Sequence, residues 1–229
     1  MPKKFPESNK LKKKARAKDL TSLIRKEAKK FFRRARGSHD WDHTERVLQL
    51  CLRIGRKENA DLEVLKLAAI LHDIGRAKED RSNGKICHSE AGAEIARDIL
   101  ASHGFGEEKT ERVLHCIRSH RFRKGTSPLS IEAKVLFDAD KLDSIGAVGI
   151  GRAFLFAGEV GARLHNKGVD ISTTKPYTKE DTAYREYMVK LRLVKDRIFT
   201  KEGKRIARER HAFMVDFFDR LDKETDGRL

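Results

Sequence analysis

The residues in this chain whose types and order could do chemistry are His43, the pair His72-Asp73, and the aspartates Asp138, Asp140 and Asp143. His72 and Asp73 come directly after Val64–Leu71, an apolar run broken only by Lys66. Such a run reads as a helix buried on most sides that carries both polar side chains inward, with Gly75 offering a stop. A buried imidazole beside a buried carboxylate needs partners, because an unpaired buried charge is very costly. Val47, Leu50, Cys51 and Ile54 form another apolar stripe, and counting back four from Val47 reaches His43. Asp138, Asp140 and Asp143 share a segment with Val135, Leu136, Ala139 and Leu142 at helical spacing. Two imidazoles and two carboxylates make a mixed nitrogen–oxygen set, better suited to an octahedral divalent ion than to a thiolate zinc site. Mn, Fe, Co, Ni and Mg all fit, and periodicity does not choose among the aspartates. A lone His at the end of an apolar stripe is more often structural; four residues in this order on separate helices are what favour a site.

The elements that must position them read as helices throughout. Leu20–Arg36 is expected as a first helix with Gly37 as its stop, and a second starts near Asp40–Asp42, whose carboxylates suit an N-terminus. The helix before His72 is third, and a polar loop over Lys78–Lys85 comes after it. Ser89–Ser102, Glu107–Arg118 and Ile131–Asp143 continue the series, with His88 just before the first and His120 just after the second. The glycines between Gly146 and Gly161 include a Gly-x-Gly, but no strand precedes it as a dinucleotide loop requires. Close helix approach is the better account of these glycines. Residues 162–179 read as a long surface loop or lid, and two closing helices carry Tyr184 to Val194 and Ile206 to Leu221. Nothing alternates at period two, so the fold class is all-α.

Composition bounds the partners. The 229 residues can bury a sizeable core, and 38% of them are charged, with Gln once and Asn four times, as in heat-adapted proteins. The formal charge is +16, and residues 1–18 hold eight Lys or Arg against Glu7 alone. That stretch reads as a flexible tail, with residues 19–229 as the helical domain. Without interleaved aromatics beyond Phe5 it is first a solvated tail and second a weak nucleic-acid contact. Cys51, Cys87 and Cys116 show no CxxC spacing, which points to core thiols in a reducing compartment. No apolar run reaches membrane-spanning length and none comes after the basic start, so a cytoplasmic location is expected. Oligomeric state is not legible.

At this point the chain resembles the HD-domain metal-dependent phosphohydrolases. Their motif reads here as His43 in His-Asp-Trp-Asp-His-Thr-Glu-Arg-Val, His72-Asp73 in Leu-His-Asp-Ile-Gly, and Asp140 in Asp-Ala-Asp-Lys-Leu-Asp. The resemblance selects Asp140 over its neighbours because the ligand position precedes the Lys-Leu pair. It runs from about residue 38 to 226, through Ser-Ile-Gly-Ala-Val-Gly-Ile-Gly-Arg152 and the closing Thr200–Met214 segment typical of small bacterial and archaeal members. It implies an HD helical bundle with extra C-terminal helices. His88 and His120 fall where some members hold a second metal, and could serve that ion or a phosphate. This sequence departs from two-metal phosphodiesterases in having a single His at 120. It also places Arg76 where some relatives have an acid, with Glu79 and Asp80 a turn later.

The expected function is hydrolysis of a phosphate ester or anhydride, for preference of a nucleotide, by water activated on a divalent metal (Mn, Ni, Co, Fe or Mg). His43, His72, Asp73 and Asp140 are the expected ligands, and Asp73, Arg76 and Lys141 the expected catalytic residues. Arg46, Arg121, Arg123 and Lys124 also lie close in sequence to the ligands and could neutralise phosphate. The rival functions are a nucleic-acid-binding module with a vestigial site, and a di-iron oxygenase using His88 and His120.

Overall fold

The computed structural model describes residues 19–32, 40–121, 126–166 and 168–229. The basic tail, the stop expected at Gly37, and the cations Arg123 and Lys124 lie outside the described residues. Among the described residues there are helices, turns and no strand. The all-α expectation holds. None of these helices is long and apolar enough to cross a membrane.

Short polar side chains cap five of the described α-helices. Helix α1 (19–29) runs into a 3-10 turn at Lys30–Phe32. Asp40 caps α2 (Trp41–Lys57) by accepting the His43 backbone N–H, and Asp61 caps α3 (Leu62–Leu71) by accepting those of Glu63 and Val64. After α4 (Arg76–Arg81), α5 (His88–Ser102) and α6 (Glu107–Ser119), Ser130 caps α7 (Ile131–Leu142). Helix α8 is Gly146–Glu159; Thr182 caps α9 (Ala183–Val189) and Thr200 caps α10 (Lys201–Thr225).

Helix α3 sits at the centre, in contact with α2, α5, α6 and α7. Its apolar residues from Val64 to Leu71 are buried, as the nearly all-round apolar run requires. Each large aliphatic side chain so buried contributes about 1.5–3 kcal/mol, which makes α3 a rigid support for His72 and Asp73 at its C-terminal end. Cys51 and Cys116 are buried free thiols, and burial pushes the Cys116 thiol up to about 12.

Several local expectations are corrected. The loop expected over Lys78–Lys85 begins as helix α4, whose residues are all at least partly exposed. It has no apolar face for periodicity to reveal; Arg76 instead pairs with Asp73 and Glu79 across successive turns. Gly75 is not a left-handed helix stop, since its φ is −81°. A Cβ there would stand 2.2 Å from the His88 carbonyl oxygen and 2.6 Å from the Gly92 nitrogen, so it lets the turn after α3 lie against α5. The helix expected through Val194 breaks at Lys190 into α9 and a 3-10 segment, Leu191–Arg197. Close helix approach does not account for most of the glycines from 146 to 161: a Cβ at Gly151, Gly158 or Gly161 would meet nothing within 4 Å, and one at Gly149 would fall 2.2 Å from the Ser144 carbonyl oxygen in the α7–α8 turn.

The segment expected as a surface loop or lid is tied to the C-terminal helices. Thr182 donates to Asn166 at 2.7 Å, Arg185 donates to Asp181 and Thr174 at 2.9 and 2.7 Å, and His165 lies 2.6 Å from Asp222.

Candidate metal centre

His43 enters from the first turn of α2, and His72 and Asp73 from the turn that closes α3. His88 opens α5, His120 closes α6, and Asp140 lies in the last turn of α7. All four histidines and Asp73 are buried. Asp73 stands between two pairs of imidazoles. Its Oδ2 faces His43 Nε2 at 3.8 Å and His72 Nε2 at 3.6 Å; its Oδ1 faces His88 Nε2 at 3.3 Å and His120 Nε2 at 3.6 Å. Within the pairs, the Nε2 atoms are 3.3 Å apart for His43 and His72 and 3.1 Å apart for His88 and His120.

The outer ring nitrogens explain this convergence. His72 Nδ1 donates to the Ala69 carbonyl at 2.7 Å and His120 Nδ1 to that of Ile117 at 2.6 Å. A carbonyl oxygen only accepts, so each Nδ1 carries its proton and a neutral ring presents a bare Nε2 lone pair inward. His43 Nδ1 is held instead by Asp143 at 2.7 Å, and His88 Nδ1 by Glu79 at 2.6 Å. Each of these carboxylates has its own arginines: Arg46 and Arg152 on Asp143, Arg121 and Arg76 on Glu79. Every pair therefore has one ring fixed by a backbone carbonyl and one by an arginine-paired carboxylate. This is the outer support that metal-ligating histidines use.

Electrostatics point the same way. Burial pushes the His72 imidazole down to about 4 and the His88 imidazole down to about 2, so both are neutral near pH 7 and free to donate a lone pair. Burial pulls His43 down too, but the Asp140 and Asp143 carboxylates outweigh it and leave it raised. Burial alone would raise the Asp73 carboxyl, yet Arg76 and the surrounding imidazoles hold it well below the usual carboxylate range. Asp140 is likewise held well below that range, by Lys141 and His43 against burial.

Two groups of donor atoms lie close enough to hold a divalent ion, His43–His72–Asp73 and Asp73–His88–His120. Asp140 borders the first, with Oδ1 3.4 Å from His43 Nε2, while Lys141 Nζ draws its Oδ2 aside at 2.7 Å. The carboxylate and imidazole donors, fixed in orientation by their outer partners, fit such an ion.

The structure thus brings together His43, His72, Asp73, His88, His120 and Asp140. Arg76, Lys141 and Arg121 are partly exposed beside these groups: Arg76 Nε is 3.2 Å from Asp73 Oδ2, Lys141 Nζ is 2.7 Å from Asp140 Oδ2, and Arg121 Nη1 is 2.5 Å from Glu79. Arg46 is turned to Asp143. Asp138 is turned away, accepting from Phe199 N, Thr200 N and Thr200 Oγ1 at the start of α10. The sequence pattern assigned no role to Asp143 or Arg152. Asp143 is three residues beyond Asp140, which places it on the same side of the helix end. Arg152 carried no such signal in its glycine-rich segment.

With this geometry in hand, comparison with known proteins is informative. The HD domain family profile matches residues 40–145. YpgQ of Bacillus subtilis is 39% identical over 193 residues, which cover 82% of this chain and 85% of that protein. The structure of YpgQ in complex with ADP matches with a TM-score of 0.71 at 33% identity, over 91% of this chain and 96% of that one. An HD-superfamily hydrolase from Bacillus thuringiensis matches with a TM-score of 0.73 at 26% identity, over 92% and 98% of the two chains. Ribonuclease Y of Pseudothermotoga lettingae is 30% identical over 122 residues, 53% of this chain but 22% of that protein.

Proposed function

The chain belongs to the HD-domain phosphohydrolase superfamily, and from that premise we propose that it hydrolyses a phosphate ester or anhydride bond of a nucleotide. His43, His72, Asp73 and Asp140 would hold the divalent ion. The observation that carries this reading is the convergence of four imidazole Nε2 atoms on the buried Asp73 carboxylate. Such an ion, when bound, would polarise a phosphoryl oxygen and lower the pKa of a water molecule.

The chain's own residues do the rest. Asp143 holds His43 with its Nε2 inward, and the Ala69 carbonyl does the same for His72. Arg76, Arg121 and Lys141, partly exposed beside the ligand carboxylates and their supports, would orient a phosphate and neutralise the charge that builds up as its bond breaks. The nucleotide is supported by the relative that holds ADP over nearly the same length of chain.

The second group, Asp73–His88–His120, favours one further reading. With an ion in each group the centre would resemble a di-iron oxygenase site. Both readings are separated by one screen. Protein loaded with Mn, Co, Ni or Mg is offered nucleoside mono-, di- and triphosphates, dinucleotides and sugar phosphates, and phosphate and pyrophosphate release are measured. Release from at least one nucleotide, abolished by chelation, is expected. No release from any of them, together with oxygen consumption by iron-loaded protein on an organic substrate, overturns the hydrolase reading.

A further inference from the structure

The basic character of this protein is local. Residues 1–36 contain fifteen Lys or Arg against Glu7, Asp19 and Glu27, so twelve of the sixteen excess charges lie in the first 36 residues. The other 193 residues are close to neutral.

Where this region meets the body of the protein, α1 and the start of α2 enclose an open hollow of about 270 Å³, lined by Ser22, Arg25, Lys26, Lys29 and Trp41. Trp41 forms an aromatic wall. Phe32 packs edge-on against it at 5.5 Å, and Lys29 Nζ lies 5.9 Å from the ring centroid. Lys26, Lys29 and Lys30 are exposed, while Arg25 is paired with Glu45 of α2. The acid Glu27 is turned to His103, 3.0 Å away, and so does not neutralise the hollow. Trp41 precedes His43 by two positions. Residues so spaced on a helix do not share a face, and His43 points to Asp143 in the interior. The hollow is therefore separate from the metal centre.

We propose that this hollow is a docking site for single-stranded nucleic acid, with a base stacked on Trp41 and the phosphates on either side met by Lys26 and Lys29. An ammonium cluster alone would suit any polyanion. The aromatic wall selects a strand with free bases, because stacking needs a planar face that a duplex buries and a sulfated sugar lacks.

Trp41 is the only tryptophan in the chain, so its fluorescence reports the event directly. The full-length protein is titrated with a fluorescein-labelled twelve-nucleotide oligouridylate at several salt concentrations. Matched titrations use a duplex of equal length, heparin and uridine monophosphate. The oligouridylate should quench Trp41, and its affinity should fall log-linearly with salt by about 0.7 for each phosphate neutralised. Lys26→Glu with Lys29→Glu should weaken binding at least tenfold and flatten the salt slope, with circular dichroism and small-molecule turnover unchanged. Trp41→Leu should weaken binding about tenfold and leave the slope intact. The proposal is overturned if the strand binds without quenching, or if duplex, heparin or the mononucleotide binds as tightly. It also fails if the Lys26/Lys29 variant binds like the wild type, a test that holds even if Trp41→Leu does not fold.

Discussion

His43 Nδ1 lies 2.7 Å from Asp143 Oδ2, and this one contact settles which nitrogen of His43 faces Asp73. The carboxylate is buried and also receives Arg46 at 2.7 Å and Arg152 at 2.8 Å, so it is anchored before it anchors the histidine. Asp143→Asn keeps the volume but removes the charge that favours this ring orientation. Manganese affinity measured by calorimetry should fall about 10–100-fold, with the helical content unchanged and turnover largely restored by excess metal. Unchanged affinity would mean that something else orients His43.

Asp138 and Asp140 should separate cleanly. Asp138 accepts three hydrogen bonds from Phe199 and Thr200 and starts α10. Asp138→Ala leaves those buried donors without an acceptor and should cost about 3 kcal/mol of stability in denaturant, while metal content stays at the wild-type level. Asp140→Ala should do the opposite, cutting turnover by orders of magnitude with little change in stability. Equal metal loss in the two variants would contradict the assignment.

Periodicity reveals buried stripes, and that is why the sequence disclosed some of this centre and not the rest. His43 and His72 were legible because each extends or ends an apolar stripe, and α3 is buried as its composition demands. Among the aspartates, spacing left Asp138, Asp140 and Asp143 equivalent, and the family resemblance was needed to choose Asp140. Helix α4 reads as loop because five of its six residues are charged and none is buried. The role of Gly75 was misassigned because it depends on a backbone approach from α5, thirteen to seventeen residues later, that no local pattern records.

Gly75→Ala tests that approach. The added methyl would meet backbone atoms of His88 and Gly92, which cannot swing aside as a side chain can. A loss of about 1–3 kcal/mol is expected, together with weaker turnover, because α5 carries His88 into the centre. A variant as stable and active as the wild type would show that the turn and α5 are not locked together.

The cap of α3 gives a pH signature. Burial alone would raise the Asp61 carboxyl, but the backbone N–H groups of Val64 and Glu63 and the Arg112 guanidinium hold it below its ordinary 3.8. A carboxyl depressed in the fold contributes its full stability above its unfolded value and loses it as the pH falls through the folded one. Asp61→Ala should therefore cost about 1 kcal/mol at pH 7, and the gap between variant and wild type should narrow as the pH falls below about 3.8. Urea titrations at a series of pH values read this; a gap that stays constant or widens in acid would contradict it.

The most direct measurement is made on metal-free protein titrated with Mn²⁺, recording bound ion by electron paramagnetic resonance and phosphate release from nucleotide in the same samples. Bound ion and hydrolysis should rise together in the wild type, and both should be lost in Asp73→Ala, the residue shared by the two pairs of imidazoles. Undiminished phosphate release in the presence of chelator, or from Asp73→Ala, would contradict a metal-centred hydrolase.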